Sequence, residues 1–312
     1  MSSPEEHSLS PAQSPLITAP GLSSGLDLKT ALAIATTLLF WASAFAAIRS
    51  GMRPGAYAPG HLALLRFMTA SVVFGICAAM MRMRLPQRGD LAAMALMGFL
   101  GVTVYHTALN YGELSVTAGT ASFLINTAPI FTALLATIFL HERLKFWGWA
   151  GIVISFGGAA IIALGEGHGL HVVRGALLIL LSAVCASFYT ILQKNLLKRY
   201  TALEVTACSV WFGTIGLLWF APGLGQAVLT VPDSATWAAL YLGIFPTALA
   251  YLTWAYALSR LTASHTISFI YLMPALAVLI AWVWLGEVPP PASFLGGLVA
   301  LAGVVLVNLY GK

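Results

Sequence analysis

Charge is what this chain has least of. Asp, Glu, Lys and Arg together make up 8% of it against 59% apolar residues, so most of its length cannot be the water-facing surface of a soluble domain. Aspartate occurs only at Asp27, Asp90 and Asp233. No DxxxD pair for a metal-bound diphosphate and no paired His/Asp cluster can be drawn from these, which argues against a membrane-embedded enzyme of that kind. The three cysteines, Cys77, Cys185 and Cys208, lie in apolar stretches without CxxC or Cys/His spacing, and they read as small apolar residues. No cofactor and no metal are expected. There is also no basic run interleaved with aromatics, so the net charge of +5 implies no nucleic-acid partner.

What is present is a series of ten long apolar runs. They cover roughly 30–49, 59–81, 91–112, 116–140, 147–165, 174–193, 202–221, 235–259, 263–286 and 292–310. About 20 apolar residues at 1.5 Å each span a hydrocarbon core about 30 Å thick, whereas a tilted membrane strand needs only about 10. The runs lack apolar/polar alternation, so the expected fold class is an all-α membrane protein with ten transmembrane helices. Residues 1–28 hold four prolines and many serines with no basic segment ahead of an apolar stretch, which predicts a disordered tail and not a signal peptide. Eleven Lys and Arg residues fall on the side of the two termini and three, Arg49, Arg53 and Arg174, on the other. Both termini are therefore expected on the cytoplasmic face.

The chain also repeats itself. Pro129 and Pro274, Glu142 and Glu287, and Gly151 and Gly296 are each 145 residues apart. At that one offset, Gly98/Gly243, Tyr111/Tyr256, Ile125/Ile270 and Gly158/Gly303 also match, giving 12 identities over the 61 positions from Gly98 to Gly158 without a gap. Five helices per half is an odd number, so the second half must enter the bilayer from the opposite face. An inverted repeat of this sort builds two bundles that rock about a midplane site, which points to transport.

Candidates for handling a solute are the polar and aromatic residues inside the runs. They are Trp41 and Ser43 in the first run, Tyr105 and His106 in the third, Ser122 and Asn126 in the fourth, Tyr189 in the sixth, Trp254 in the eighth, and Ser268 and Tyr271 in the ninth. Ser122 and Asn126 are four apart and share a helix face just before Pro129; Ser268 and Tyr271 are three apart just before Pro274. A proline inside a helix frees a carbonyl one turn earlier, which lipid penalises but a watery cavity tolerates. The competing reading is that Ser and Asn join helix to helix and the prolines kink the chain. Trp147, Trp149 and Trp237, near the run ends, read as interfacial belt residues.

Arg66 is a charge inside a run, about 10 Å deep by helical rise. It reads as structural, tied to helix-end carbonyls or to Glu113, with attraction of a solute carboxylate as the alternative. Glu142 and Glu287 follow their helices and read as structural boundary residues. No Asp, Glu or Lys occupies the middle of a run, so a carboxylate-based proton relay is not expected. An uncharged, aromatic-rich site suits a neutral or zwitterionic solute such as an amino acid.

Phe40-Trp41-Ala42-Ser43-Ala44-Phe45 with Arg49, Pro59 with Arg66, and Pro129…Leu140-His141-Glu142-Arg143-Leu144…Gly151…Gly158 resemble the EamA domain of the drug/metabolite transporter superfamily. Pro274…Leu285-Gly286-Glu287…Gly296…Gly303 resembles it less fully. The resemblance implies a carrier of two EamA repeats, 29–166 and 167–312, in the bacterial inner membrane. It also implies a metabolite cargo, with amino-acid export prominent among bacterial members and multidrug or other metabolite efflux the alternative. The expected partners are one small solute and the lipid bilayer, and the expected state is a monomer. An enzyme or a scaffold remains the minor alternative.

Overall fold

A computed structural model of the chain describes residues 27–139, 145–165, 170–261, 266 and 269–310. The expected tail falls almost wholly outside them, as do Glu142 and Ser268. Every regular element among the described residues is helical. We label the spans α1 (Leu28–Gly51), α2 (Pro59–Met80), α3 (Arg88–Gly112), α4 (Ala118–Ile125 followed by Ala128–Phe139), α5 (Phe146–Gly165), α6 (Leu170–Leu196), α7 (Ala202–Leu217), α8 (Asp233–Arg260), α9 (Met273–Leu285) and α10 (Pro291–Tyr310). Seven of the spans are long and apolar enough to cross a bilayer unaided, and the helices at Phe146–Ile162, Met273–Leu285 and Pro291–Val307 are shorter apolar pieces.

Local chemistry sets the ends. The Asp27 carboxylate accepts the Thr30 N–H at 3.2 Å and starts α1. Pro59 occupies the first turn of α2, where its missing N–H costs nothing. Thr201 and Glu204 cap α7 reciprocally. Outward-facing positions are apolar: Val72, Ile76, Val153, Leu177, Ile215 and Val283 are all exposed. That is the surface of a bundle solvated by lipid tails.

The interior is built on α1, which packs against α4, α8 and α9. α2 lies on α7 and α8, and α6 backs α3 and α4. The closest pairing is α5 with α10. A Cβ at Gly151 would sit 2.7 Å from the Gly303 carbonyl oxygen, and one at Gly296 would sit 2.7 Å from the Gly158 carbonyl oxygen. Advancing along α5 therefore retreats along α10, so the two helices run antiparallel. At their crossing the Ser155 hydroxyl donates to the Ala300 carbonyl at 2.6 Å, a contact between residues 145 apart.

Two helices widen into π-turns, Phe99–Val104 in α3 and Gly243–Leu249 in α8. They occupy the same place in the 145-residue frame, and each immediately precedes residues that face the interior. In α4, Asn126 and Thr127 form a turn between the two helical pieces, and Tyr271 and Leu272 form a turn ahead of α9.

The α5–α10 contact leaves no space for larger side chains at Gly303, where a Cβ would lie 2.6 Å from the Ser155 nitrogen, but Gly157 has nothing within 4 Å. Gly303→Val is expected to lower the unfolding temperature in detergent by several degrees, an overpacking cost of about 1–3 kcal/mol. Gly157→Ala is expected to leave that temperature unchanged or slightly raised. Equal effects in both variants would show that α5–α10 packing does not hold the bundle together.

Candidate solute-binding cavity

Between the halves lies a cavity of about 170 Å³. Its wall is built from the irregular stretches. α1 contributes Trp41, Ala44, Phe45 and Ile48; α2 contributes Arg66; and the π-turn region of α3 contributes Gly101, Tyr105 and His106. Asn126, Pro129 and Thr132 come from the broken α4, and Tyr189, Thr190 and Gln193 from α6. Tyr251 and Trp254 follow the second π-turn, and Ile270 and Met273 flank the turn before α9.

Aromatic rings give the cavity one side. Trp41 packs against Trp254 at 5.1 Å between ring centroids and edge-on to Tyr251 at 5.8 Å, while Tyr189 approaches Tyr251 at 6.4 Å. His106 Nε2 lies 3.2 Å from the Tyr251 hydroxyl. These two residues are 145 apart, so equivalent positions of the halves meet at the cavity wall.

Prolines shape the polar side. Pro129 and Pro274 have no N–H to offer the carbonyls four residues earlier, those of Ile125 and Ile270, both cavity residues. Asn126 donates its amide to the Ser122 carbonyl at 2.9 Å, and its Oδ1 has no partner. Trp41 Nε1 and His106 Nδ1 are likewise buried without a partner. Three polar atoms without partners around one cavity are far from the usual state of a protein interior, where such groups are paired.

The second π-turn holds Arg66. Pro246 cannot donate to the Leu242 carbonyl, and the Thr247 hydroxyl does so at 2.8 Å. The same hydroxyl accepts the Arg66 Nε–H at 2.7 Å. Arg66 is only 3% exposed, and its partner is this hydroxyl, not Glu113.

The sequence candidates divide accordingly. Trp41, Tyr105, His106, Asn126, Tyr189 and Trp254 line the cavity, and so do Arg66 and Pro129. Ser43 turns to the Tyr241 hydroxyl at 2.7 Å, and Ser122 is buried with its hydroxyl on the Gly119 carbonyl at 2.6 Å. Tyr271 packs with Ile130, Ile152, Val304 and Val307 beside the α5–α10 pair. Pro274 is buried in the first turn of α9, off the cavity wall. Thr132 carried a readable signal, three residues after Pro129 and so on the same helix face, whereas Thr190 is adjacent to Tyr189 and Gln193 lies close to a run end.

The two ends of the bundle are tied differently. At the end where α1 finishes, Arg49 pairs with Glu287 at 2.8 Å and donates to the Glu113 carbonyl at 2.6 Å. The other Glu287 oxygen accepts the Ala118 N–H at 3.4 Å, so this glutamate serves the start of α4. Ile48, beside Arg49 in the chain, is part of the cavity wall. At the opposite end Arg199 pairs with Asp90 at 3.0 Å, and the Tyr200 hydroxyl donates to Asp90 at 2.7 Å. The cavity lining extends towards that end as far as Gln193.

Comparison with known proteins gives a family and a fold. The model of the EamA-like transporter family matches residues 28–164 and again 173–309. A probable terminal-alkyne amino-acid exporter of Streptantibioticus cattleyicolor is 41% identical over 280 residues, 90% of this chain and 93% of that protein. The uncharacterised transporter YdfC of Bacillus subtilis is 42% identical over 269 residues, 86% and 87% of the two chains. The inner membrane transporter YedA of Escherichia coli is 26% identical over 278 residues. One solved crystal structure shares the fold with a TM-score of 0.59 at 21% identity, covering 90% of this chain and 97% of its own.

The Arg49–Glu287 pair lies next to Ile48 of the cavity wall. In a background lacking the native cysteines, Glu287→Gln is expected to raise labelling of Ile48→Cys by an impermeant thiol reagent about fivefold, the population shift for about 1 kcal/mol lost. Unchanged labelling would mean that the ion pair does not restrain this end.

Proposed function

We propose that this chain, which belongs to the EamA-like transporter family, exports amino acids or similar small zwitterionic metabolites by alternating access. Membership makes it a multi-pass membrane transporter rather than an enzyme. The observation that carries the cargo reading is the cavity itself. Its volume of about 170 Å³ suits one small solute, whereas drug-sized ligands occupy pockets of about 300–1,000 Å³. That weighs against multidrug efflux. Asn126 Oδ1 offers an acceptor to an ammonium group, and the Trp41, Tyr251 and Trp254 rings offer apolar and cation-binding faces. The amino-acid exporter at 41% identity supports the same class.

The frame we propose is two inverted repeats, 29–166 and 167–312, with both termini on the cytoplasmic face of the bacterial inner membrane, working as a monomer. Support for inversion comes from the antiparallel α5–α10 contact, the matched π-turns and the His106–Tyr251 contact between equivalent positions. Placement of Lys and Arg supports the orientation. In this scheme the Arg49–Glu287 end is closed, and rocking of one bundle against the other exchanges closure between the two ends.

The test is counterflow in proteoliposomes with labelled amino acids, including the terminal-alkyne amino acid L-propargylglycine. Asn126→Ala and Trp254→Ala are expected to lower uptake about tenfold, the loss of ~1.4 kcal/mol. Trp237→Ala, which alters a side chain on the bundle's exterior with 69% exposure, is expected to leave uptake unchanged. No counterflow of any amino acid would remove this cargo class.

A further inference from the structure

We propose that the Arg66 guanidinium is the carboxylate-binding group of the cavity, so that the protein accepts solutes carrying a free carboxylate and rejects their amides and decarboxylated amines. This rests on the reading of the cavity as the solute site. It does not require that the solute be an amino acid.

An arginine stays ionised in proteins, and a buried ion without a counter-ion costs several kcal/mol. Arg66 lies within a helix of a membrane-spanning bundle at 3% exposure. Its Nε is bonded to Thr247, yet no Asp or Glu among the described residues forms an ion pair with it; the ion pairs found there join Arg49 to Glu287 and Arg199 to Asp90. The Glu113 carboxylate, buried nearby, has no hydrogen-bond partner at all. Phe67 contributes a ring face 5.3 Å from the guanidinium carbon, which eases the charge but leaves the donors of the two amino nitrogens available.

Those donors belong to a residue of the cavity wall. The Thr247 bond fixes the plane of the guanidinium through Nε, and Thr247 is itself held by the Leu242 carbonyl that Pro246 cannot serve. A planar fork presented in a fixed orientation matches a carboxylate through two parallel bonds. Lysine at this position would supply charge without the fork. The ammonium of an α-amino acid then falls to Asn126 Oδ1 and the aromatic rings, groups that line the same cavity.

The experiment measures equilibrium binding to the purified full-length protein, read by the fluorescence of its tryptophans, Trp41 and Trp254 being in the cavity wall. The probes are L-propargylglycine, its carboxamide and but-3-ynylamine, which lacks the carboxylate. The wild type is expected to bind the acid at least about 30-fold more tightly than either analogue, as a charge-assisted bond implies. Arg66→Gln is expected to lose that preference and Arg66→Lys to keep part of it. Equal binding of acid and amide by the wild type overturns the proposal, and this comparison needs no folded variant. If no amino acid binds, the amino-acid reading fails by itself, and butanoate and 2-oxobutanoate become the probes. Their binding to wild type and its loss in Arg66→Gln would sustain the carboxylate site, and no binding of either would overturn it.

Discussion

Lipid offers no hydrogen bonds, so a backbone group left unpaired inside a membrane bundle costs several kcal/mol. That constraint bears most directly on the second π-turn. Pro246 lies inside a helix and withdraws a donor there, whereas Pro129 and Pro274 sit in the first turns of their helices, where the missing N–H costs nothing. At Pro246 the answer is Thr247, whose hydroxyl serves the Leu242 carbonyl and also holds Arg66. At Pro246, backbone irregularity and the anchoring of a buried charge are thus two consequences of one arrangement.

The two halves meet through equivalent residues at separate points. Ser155 bonds Ala300 where small residues bring α5 and α10 into backbone contact, and His106 meets Tyr251 at the cavity wall. Such contacts give a bundle a rigid seam and a central site while leaving its two ends to be tied independently. The Arg49–Glu287 pair ties one end and the Asp90–Arg199–Tyr200 cluster the other. Each rests on a few partly exposed interactions, which makes the ends the softest part of the structure.

Much of this was legible in the residues alone. Ten apolar runs and the 145-residue spacing lead to the helices and the duplicated halves, and the prolines mark the depth of the cavity. Trp41, Tyr105, His106, Asn126, Tyr189 and Trp254 could be chosen because polar or aromatic side chains deep in a run need a reason to be there. Ser43, Ser122 and Tyr271 met the same criterion but find partners elsewhere, because period and depth do not specify which neighbour a helix face meets. The π-turns were not readable, since Phe99–Val104 has no composition that separates it from an α-helix. Without the second π-turn, the partner of Arg66 could not be named, and Glu113 stood in its place. Gln193 lies close to a run end, where a polar residue reads as interfacial although this one is buried.

The central claim is that the halves move reciprocally about the cavity. Spin labels at Leu114 and Val288 report one end of the bundle, and labels at Leu85 and Ser259 report the other; all four positions are exposed. Double electron–electron resonance on the full-length protein in nanodiscs, with and without L-propargylglycine, measures both distances. The account predicts that solute changes them in opposite senses, the Leu114–Val288 distance lengthening as the Leu85–Ser259 distance shortens. Binding that leaves both distances unchanged, or moves both the same way, would contradict it.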